Sequence, residues 1–470
     1  MMRHKKQLIV RQVVVSDYAA EGKSLVKVDG KVIFISGAVP GDKVDIQVTK
    51  SKKDWAEARV IHVHEYSALR TDPFCKHFGV CGGCKWQMLP YEEQLRYKQR
   101  EVEDHLRRIG KVALPPIMPI LGASETRFYR NKLEYTFSSK RYYPEEEFQQ
   151  LRELGISPQP ALGYHVPRYF DKVIDIEECH LQPEPSNAIR NAVKEIANRR
   201  NFSFYDIRSH EGWLRNLVIR TSTTGESMLN FCLGYHDEES GNLLFDEVLE
   251  KFPELTTLVF TINGKMNDSI HDLEPQVYFG PGYITEKLED FQFRIGPKSF
   301  FQTNSRQGEK LYQVARDFAG LTGRETLYDL YCGTGSIGIF MSKRAAKVVG
   351  VEVIGEAVKD AEINASVNGI EHARFFAGDV ADICNEGFFL EHGRPDVVIT
   401  DPPRAGMHGK LISTLLDIEA PVVVYVSCNP ATQARDLSLL DEKYMVARIQ
   451  PVDMFPHTHH IENVVQLKLR

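Results

Sequence analysis

The sequence lacks any apolar run approaching the length of a membrane span, which excludes a bilayer-crossing helix. No secretory leader is expected either. The opening MMRHKKQLIVRQVVV is basic and then apolar, but Arg11 and Gln12 break the run almost at once. Without a leader, the eight cysteines do not read as a disulfide framework, so metal binding, catalysis or core packing must account for them. A cytoplasmic protein that does not engage membranes is the expectation. No internal repeat or low-complexity tract is present, which excludes a repeat array. The chain has no overall excess of positive charge, with 58 Lys+Arg against 64 Asp+Glu. Taken alone, that argues against a nucleic-acid partner. The distribution argues for one: residues 1–132 hold 24 Lys+Arg and 15 Asp+Glu, a net of +9, which leaves −15 for the remainder. A basic front and an acidic back suggest that an anionic polymer docks at the front.

A length of 470 residues suggests two to four domains. Residues 8–65 read as five short strands: LIVRQVVV, SLVKVDG, KVIFISG, KVDIQVTK and WAEARVIHVHE. Asp29-Gly30 and Pro40-Gly41-Asp42 supply the turns. Five strands in so short a span predict a small barrel of the OB type, an architecture that commonly binds oligonucleotides. The cysteine stretch CKHFGVCGGCKW follows, with Cys75, Cys81 and Cys84 spaced C-x5-C-x2-C. Pro90 then opens a predicted helix with apolar positions Leu95, Val102, Leu106 and Ile109, and Gly110 stops it. Residues 127–290 read as mixed α/β, with strands in NLVIRTS, SMLNFCLGY and TTLVFTI and an exposed insertion at YYPEEEFQQLRELGISPQP. From about residue 293, short apolar runs alternate with helical stretches, the pattern of a doubly wound, mostly parallel sheet.

In that last region the strand ETLYDLYCG runs into a Gly-rich turn, CGTGSIG, and then a helix. This is the first βα unit of a nucleotide-binding sheet. Asp329 lies at the end of that strand, Glu352 ends the next one and Asp379 the third. Three acidic residues at successive strand ends suit a cationic cofactor without phosphates, S-adenosylmethionine, and would repel the pyrophosphate of NAD. The plainer alternative is that such residues cap helices. Two further strand ends carry reactive side chains: Asp401-Pro402-Pro403-Arg404, and Ser427-Cys428-Asn429-Pro430. A cysteine on this rim points to a carbon target. C5 of uracil is too weak a nucleophile to attack a sulfonium methyl until a thiolate adds at C6; a base must afterwards remove the C5 proton. Cys428 fits the nucleophile, Glu462 in HHIENVVQLKL is positioned to be the base, and Arg404 is suited to the enolate oxygen or a phosphate. Against these stand a packed free thiol and a surface carboxylate. His457, His459 and His460 look like a metal cluster but have no Cys or carboxylate at ligand spacing.

With these motifs in order (SFFQTN, DLYCGTGS, VEV, DPPRAG, SCNP and IEN), the chain resembles the bacterial 23S rRNA (uracil-C5)-methyltransferases of the RumA/RlmD type along nearly its whole length. GAVPGDKVDIQV resembles the TRAM domain, a small RNA-binding barrel. The resemblance implies a Rossmann-like class I methyltransferase domain over residues 293–470, a TRAM barrel over 1–66, and a central α/β iron–sulfur domain over 67–292. It also implies that residues 91–120 pack with the C-terminal domain. By resemblance Cys428 is the nucleophile and Glu462 the base, while Gln302, Tyr331, Glu352, Asp401 and Asp379 bind S-adenosylmethionine. It further implies a structural [4Fe-4S] cluster on Cys75, Cys81, Cys84 and Cys179, although spacing alone leaves zinc equally open. The expected partner is RNA, 23S rRNA in particular, with no DNA and no membrane, and the chain is expected to be a monomer.

Four readings compete with this one. Methylation of a tRNA T-loop uridine is the nearest, but the tRNA-specific enzymes generally lack both barrel and cysteine cluster. A radical S-adenosylmethionine enzyme needs C-x3-C-x2-C and an open iron. A cytosine-C5 enzyme needs a second active-site cysteine beside a proline. An RNA-binding assembly factor would not need both Cys428 and Glu462.

Overall fold

A computed structural model describes residues 8–470; the basic opening of the chain, on which the leader was judged and where the expected barrel begins, lies outside them. The front of the described chain is a six-stranded sheet ordered Ile9–Val14, Lys43–Ser51, Trp55–Glu65, Lys31–Ser36, Ser24–Val28 and Asp17–Tyr18. Five of these are the expected strands. The sixth is two residues long and too short to show alternation. Inward positions alternate along the strands, so Ile33 and Ile35, Val44 and Ile46, and Ala56 and Ala58 share one small core. Asp29 and Gly30 both adopt positive φ, +48° and +78°, and join two strands paired Val28 to Lys31. This is the two-residue hairpin turn that matches strand twist.

Between Glu65 and Tyr91 the described chain forms no helix or strand. The helix Tyr91–His105 follows, ends in a π turn, Leu106–Gly110, and leaves through Lys111 at φ +53°. Its apolar face reaches the far end of the chain. Val102 and Leu106 share a core with Ala434, Leu437 and Val465. Lys98 and Asp453, both fully buried, form an ion pair at 2.6 Å, and Tyr91 donates to Asp453 at 2.7 Å.

The central region is a seven-stranded sheet ordered Gln276–Phe279, Thr257–Ile262, Ser227–Leu233, Leu214–Thr221, Lys132–Ser138, Ala161–His165 and Val173–Asp175. Helices Ser186–Arg199 and Glu238–Lys251 cover it through Ile189, Val193, Leu244 and Val248. The insertion forms the helix Glu145–Glu153, which buries none of its residues. A hairpin, Ile284–Leu288 with Phe291–Ile295, shares its core with the sheet that follows.

That last sheet has seven strands: β1 Thr326–Leu330, β2 Lys347–Glu352, β3 Ala373–Ala377, β4 Val397–Thr400, β5 Val422–Ser427, β6 Tyr444–Val452 and β7 Glu462–Leu469. Their order is β3-β2-β1-β4-β5-β7-β6, parallel except for β7, which runs antiparallel to both neighbours. Six of these strands were marked by short apolar runs, and burial on both faces explains the unbroken ones. β6 escapes that signal because a register shift between Val446 and Arg448 and the proline at 451 break its pattern. As an edge strand it tolerates the proline, which donates no ladder hydrogen bond. No helix among the described residues is long and apolar enough to cross a membrane.

Candidate active site

The Gly-rich turn after β1 is built from left-handed backbone: Tyr331, Gly333 and Gly335 have φ of +62°, +52° and +75°. Gly335 has no room for a side chain, since a Cβ there would lie 2.9 Å from Cβ of Ala361 and 3.1 Å from the Phe375 ring. The turn therefore lies tight against its own sheet and exposes its backbone beyond the strand ends. SFFQTN is tied to the same place. Thr334 Oγ1 donates to the Phe300 carbonyl at 3.3 Å, and the Gln302 carbonyl accepts from Asn131 Nδ2 at 2.9 Å. Gln302 is buried and Tyr331 half-buried.

The strand-end carboxylates divide into two kinds. Asp379 accepts from the Ala381 N–H at 2.8 Å and caps the short helix Val380–Ile383, the plainer alternative for such residues. Glu352 accepts from the backbone of Gly333 at 3.1 Å and of Ile354 at 3.0 Å, so it holds the turn itself. Asp329 accepts from the Gly338 N–H at 2.8 Å through one oxygen; the other, Oδ1, is buried without a partner. Burial pushes Asp329 up to about 7, opposed by the Gly338 hydrogen bond and reinforced by the charges of Asp401 and Glu352. Carboxylates crowded at neighbouring strand ends, one with a buried oxygen left without a partner, suit a cationic ligand. S-adenosylmethionine is such a ligand, and Gln302, Tyr331, Glu352 and Asp401, the residues expected to bind it, lie with Asp329 at this turn and the neighbouring strand ends.

On the neighbouring strands the sheet brings the nucleophile and base candidates together. β5 and β7 pair antiparallel, with Ser427 opposite Asn463 at the last rung. The next pair in that register is Cys428 with Glu462. Residues 34 apart in sequence thus end on one rim, where β4 also delivers Asp401 and Arg404. Burial pushes the Cys428 thiol up to about 11; the charges of Glu462 and Asp401 add to this, and Arg404 opposes it by charge and hydrogen bond. Glu462 is held well above the ordinary carboxylate range by burial and by Asp401, again opposed by Arg404. Burial pushes Asp401 up to about 7. Arg404 is the one cation among these forces.

Arg404 is itself fixed from both ends. Its Nη2 donates to His460 Nδ1 at 2.6 Å, and its carbonyl accepts from Asn429 Nδ2 at 3.1 Å and Thr432 Oγ1 at 3.2 Å. Burial, then the neighbouring His459 and Arg404, press His460 down to about 3, so it stays neutral and can accept. Beneath the rim, Gln433 Nε2 donates to the carbonyls of Tyr425 (3.0 Å) and Asn463 (3.2 Å), while Asn463 Nδ2 returns a bond to Gln433 Oε1 at 2.7 Å. This buried exchange locks the strand bearing Cys428 to the strand bearing Glu462. Asp436 accepts from Tyr425 Oη at 2.7 Å and from the Met407 N–H at 2.8 Å, anchoring the loop that carries Arg404. Sequence reading missed Gln433, Asn463, Asp436 and the Lys98–Asp453 pair, because a polar residue inside a helix or strand carries no local mark of a partner across the fold.

The four cysteines form a separate place. Cys75, Cys81, Cys84 and Cys179 line one cavity of about 430 Å³, together with His77, Tyr164, Arg130 and Lys132. Loops hold them: the Cys75 N–H donates to Gln87 Oε1 (3.1 Å), the Gly83 N–H to Cys81 Sγ (3.5 Å), and the Cys179 N–H to Asn187 Oδ1 (2.8 Å). Burial, with the neighbouring thiols adding, pushes Cys81 up to about 11 and Cys84 up to about 12. Among the described residues no three His, Cys, Asp or Glu side chains are grouped to hold a single metal ion, the three C-terminal histidines included. Instead, His460 borders this cavity on one side and bonds Arg404 on the other. The remaining cysteines, Cys232, Cys332 and Cys384, are buried as packing.

Comparison with known proteins gives the arrangement its context. The tRNA (Uracil-5-)-methyltransferase family profile matches residues 273–470, and the TRAM domain profile matches residues 10–61. An uncharacterized RNA methyltransferase of Bacteroides thetaiotaomicron is 53% identical over 96% of this chain and 100% of its own length. One of Porphyromonas gingivalis is 49% identical over 96% of this chain and 98% of its own. Among solved structures, the Pyrococcus abyssi tRNA (uracil-54, C5)-methyltransferase in complex with S-adenosyl-L-homocysteine superimposes with a TM-score of 0.75 and 28% identity, covering 97% of this chain and 100% of that one.

Proposed function

The chain belongs to the S-adenosylmethionine-dependent RNA (uracil-5-)-methyltransferase family, and on that premise we propose that it methylates C5 of a uridine in 23S rRNA through a covalent Cys428 adduct. The observation that supports this reading is the β5–β7 register, which ends with Ser427 opposite Asn463 and so leaves their chain neighbours Cys428 and Glu462 on one rim beside the crowded strand-end carboxylates. When bound, S-adenosylmethionine supplies an electrophilic methyl group. Cys428 sulfur adds to C6 of the uracil, and the electron pair moves through C5 to the O4 enolate. Arg404, held by His460, favours the thiolate and then faces the developing negative charge. C5 takes the methyl group. Glu462 removes the C5 proton, and the sulfur leaves from C6. The free thiol is pushed up to about 11, so the ionised Cys428 is a minor species until substrate and cofactor charges fill the pocket.

Four partly buried thiols lining one cavity are a donor set that a sulfur-ligated centre takes. Cys75, Cys81, Cys84 and Cys179 would hold a [4Fe-4S] cluster there. With every iron ligated, its role is to shape the loop-built segment.

A second RNA target has support of its own. The argument from a missing barrel does not apply to the Pyrococcus abyssi tRNA enzyme, which covers 97% of this chain. A tRNA T-loop uridine therefore stands as the alternative. The test is to incubate the purified protein with undermodified 23S rRNA and, separately, tRNA in the presence of labelled cofactor, and to digest both to nucleosides. Label in 5-methyluridine from the rRNA supports the first reading, label only from tRNA supports the second, and none in either removes both.

A further inference from the structure

Away from the rim, the barrel and the central region face one another across a second cleft. A cavity of about 190 Å³ is lined from the barrel by Lys23, Phe34, Ser36, Thr49 and Glu57, and from the central region by Arg168. The barrel wall follows from its pairing. Lys31–Ser36 and Trp55–Glu65 run parallel with Phe34 beside Glu57, which puts an aromatic ring and a carboxylate side by side. Phe34 meets the edge of Trp55 at 6.3 Å, and Lys50 sits over the Trp55 ring at 5.2 Å. The opposite wall is a hairpin tip. Between the strands Ala161–His165 and Val173–Asp175 the chain closes through Val166 N–H to Lys172 O and Tyr169 N–H to Val166 O. Arg168 occupies that tip at φ +76°, an uncommon conformation for a side chain of its size. Beside it, Tyr169 and Phe170 are 52% and 64% exposed, with the Arg208 guanidinium 5.2 Å above the Phe170 ring.

Lys23 is already paired with Glu57 and Glu21, each at 3.4 Å, which leaves an aromatic ring, hydroxyls and the Arg168 guanidinium as the groups open to a nucleotide. Bases of any kind stack on an aromatic ring, and Arg168 on the opposite wall matches a phosphate beside an unstacked base. The basic balance of the first 132 residues gives the same sign of attraction over a longer range. We propose that this cleft holds one unstacked nucleotide of the RNA substrate, from a segment other than the one carrying the target uridine. The inference rests on the RNA reading above and adds to it a second anchor, shared between barrel and central region and separate from Cys428.

Two measurements on the full-length chain test it. The first is methylation kinetics on a long RNA substrate and on a minimal stem-loop bearing only the target. Phe34→Ala and Arg168→Glu should each raise the KM for the long RNA about tenfold and leave kcat unchanged. On the minimal stem-loop they should match wild type. Arg168→Glu is the safeguard if Phe34→Ala disturbs the barrel, since Arg168 is an exposed turn residue. The second is fluorescence anisotropy with a labelled single-stranded oligoribonucleotide, which needs no turnover. Weaker binding by both variants supports the cleft even if no RNA becomes methylated, in which case only the methylation reading falls. Equal KM and equal oligonucleotide binding in all three proteins overturns the cleft while leaving methylation intact.

Discussion

The catalytic rim and the cysteine cavity both crowd ionisable groups that raise one another's pKa values, but they are built in opposite ways. At the rim, Cys428, Glu462, Asp401 and Arg404 leave the ends of three neighbouring strands, and a backbone ladder sets their separation. Around the cavity, Cys75, Cys81 and Cys84 lie in a stretch without helix or strand, held by turn and side-chain hydrogen bonds rather than by a ladder. The ladder holds the rim's geometry before any ligand arrives, as electrostatic preorganisation requires. The cavity's geometry depends on whatever bridges the thiols. The difference teaches that the reactive strand ends are fixed by the sheet, while the cysteine segment is held by loops alone.

The sharpest way to break the comparison is to remove one sulfur from each place. Cys428→Ala should abolish turnover and covalent capture of 5-fluorouridine RNA, with little change in melting. Glu462→Gln should slow turnover by ~10²–10⁴-fold while still capturing RNA. Cys179→Ser should do the reverse: melting should fall by on the order of 5 °C and visible absorption should disappear, while the protein that stays folded keeps turning over. If Cys179→Ser abolishes methylation with melting unchanged, the two places are not separate in role.

A smaller effect tests the carboxylate crowding. Asp401 holds its proton up to about 7, whereas an unfolded aspartate releases it near 3.8. Between these values the folded state binds the extra proton, so stability falls as pH rises through the window and levels off above it. Asp401→Asn removes that loss. The cofactor-free variant should melt on the order of 2 °C higher than wild type at pH 7.5 and equally below pH 4. It should also lose S-adenosylmethionine binding, measured by calorimetry. A lower melting temperature at pH 7.5 would mean that Asp401 supports the fold rather than straining it.

The smallest effect concerns the side chain that borders both places. His460 accepts from Arg404, the cation that eases ionisation of Cys428. His460→Leu should make iodoacetamide labelling of the Cys428 peptide about threefold slower at pH 8, and His460→Gln, which retains an acceptor, should recover part of that rate. Identical pH profiles in all three proteins would detach His460 from the thiol.

Much of this was legible along the chain. The barrel strands, the alternation of strand and helix after residue 293, and the reactive strand ends each stand in local patterns, because burial and turn chemistry act over a few residues. β6 was not legible, since a bulge and a proline hide an edge strand. For Asp379 the strand-end position left a helix cap and a cofactor contact both open, and the structure shows the cap.

By itself the sequence determined residue chemistry: which thiols, carboxylates and cations exist, and which strands and turns would carry them. Only the tertiary structure decided who meets whom. The β5–β7 register brings Cys428 and Glu462 to one rim, Gln433 and Asn463 lock those strands, and the fold carries Cys179 to three cysteines about a hundred residues earlier. Such partnerships depend on chain closure over long separations and on desolvation inside the finished fold, and neither is written in any short stretch of residues.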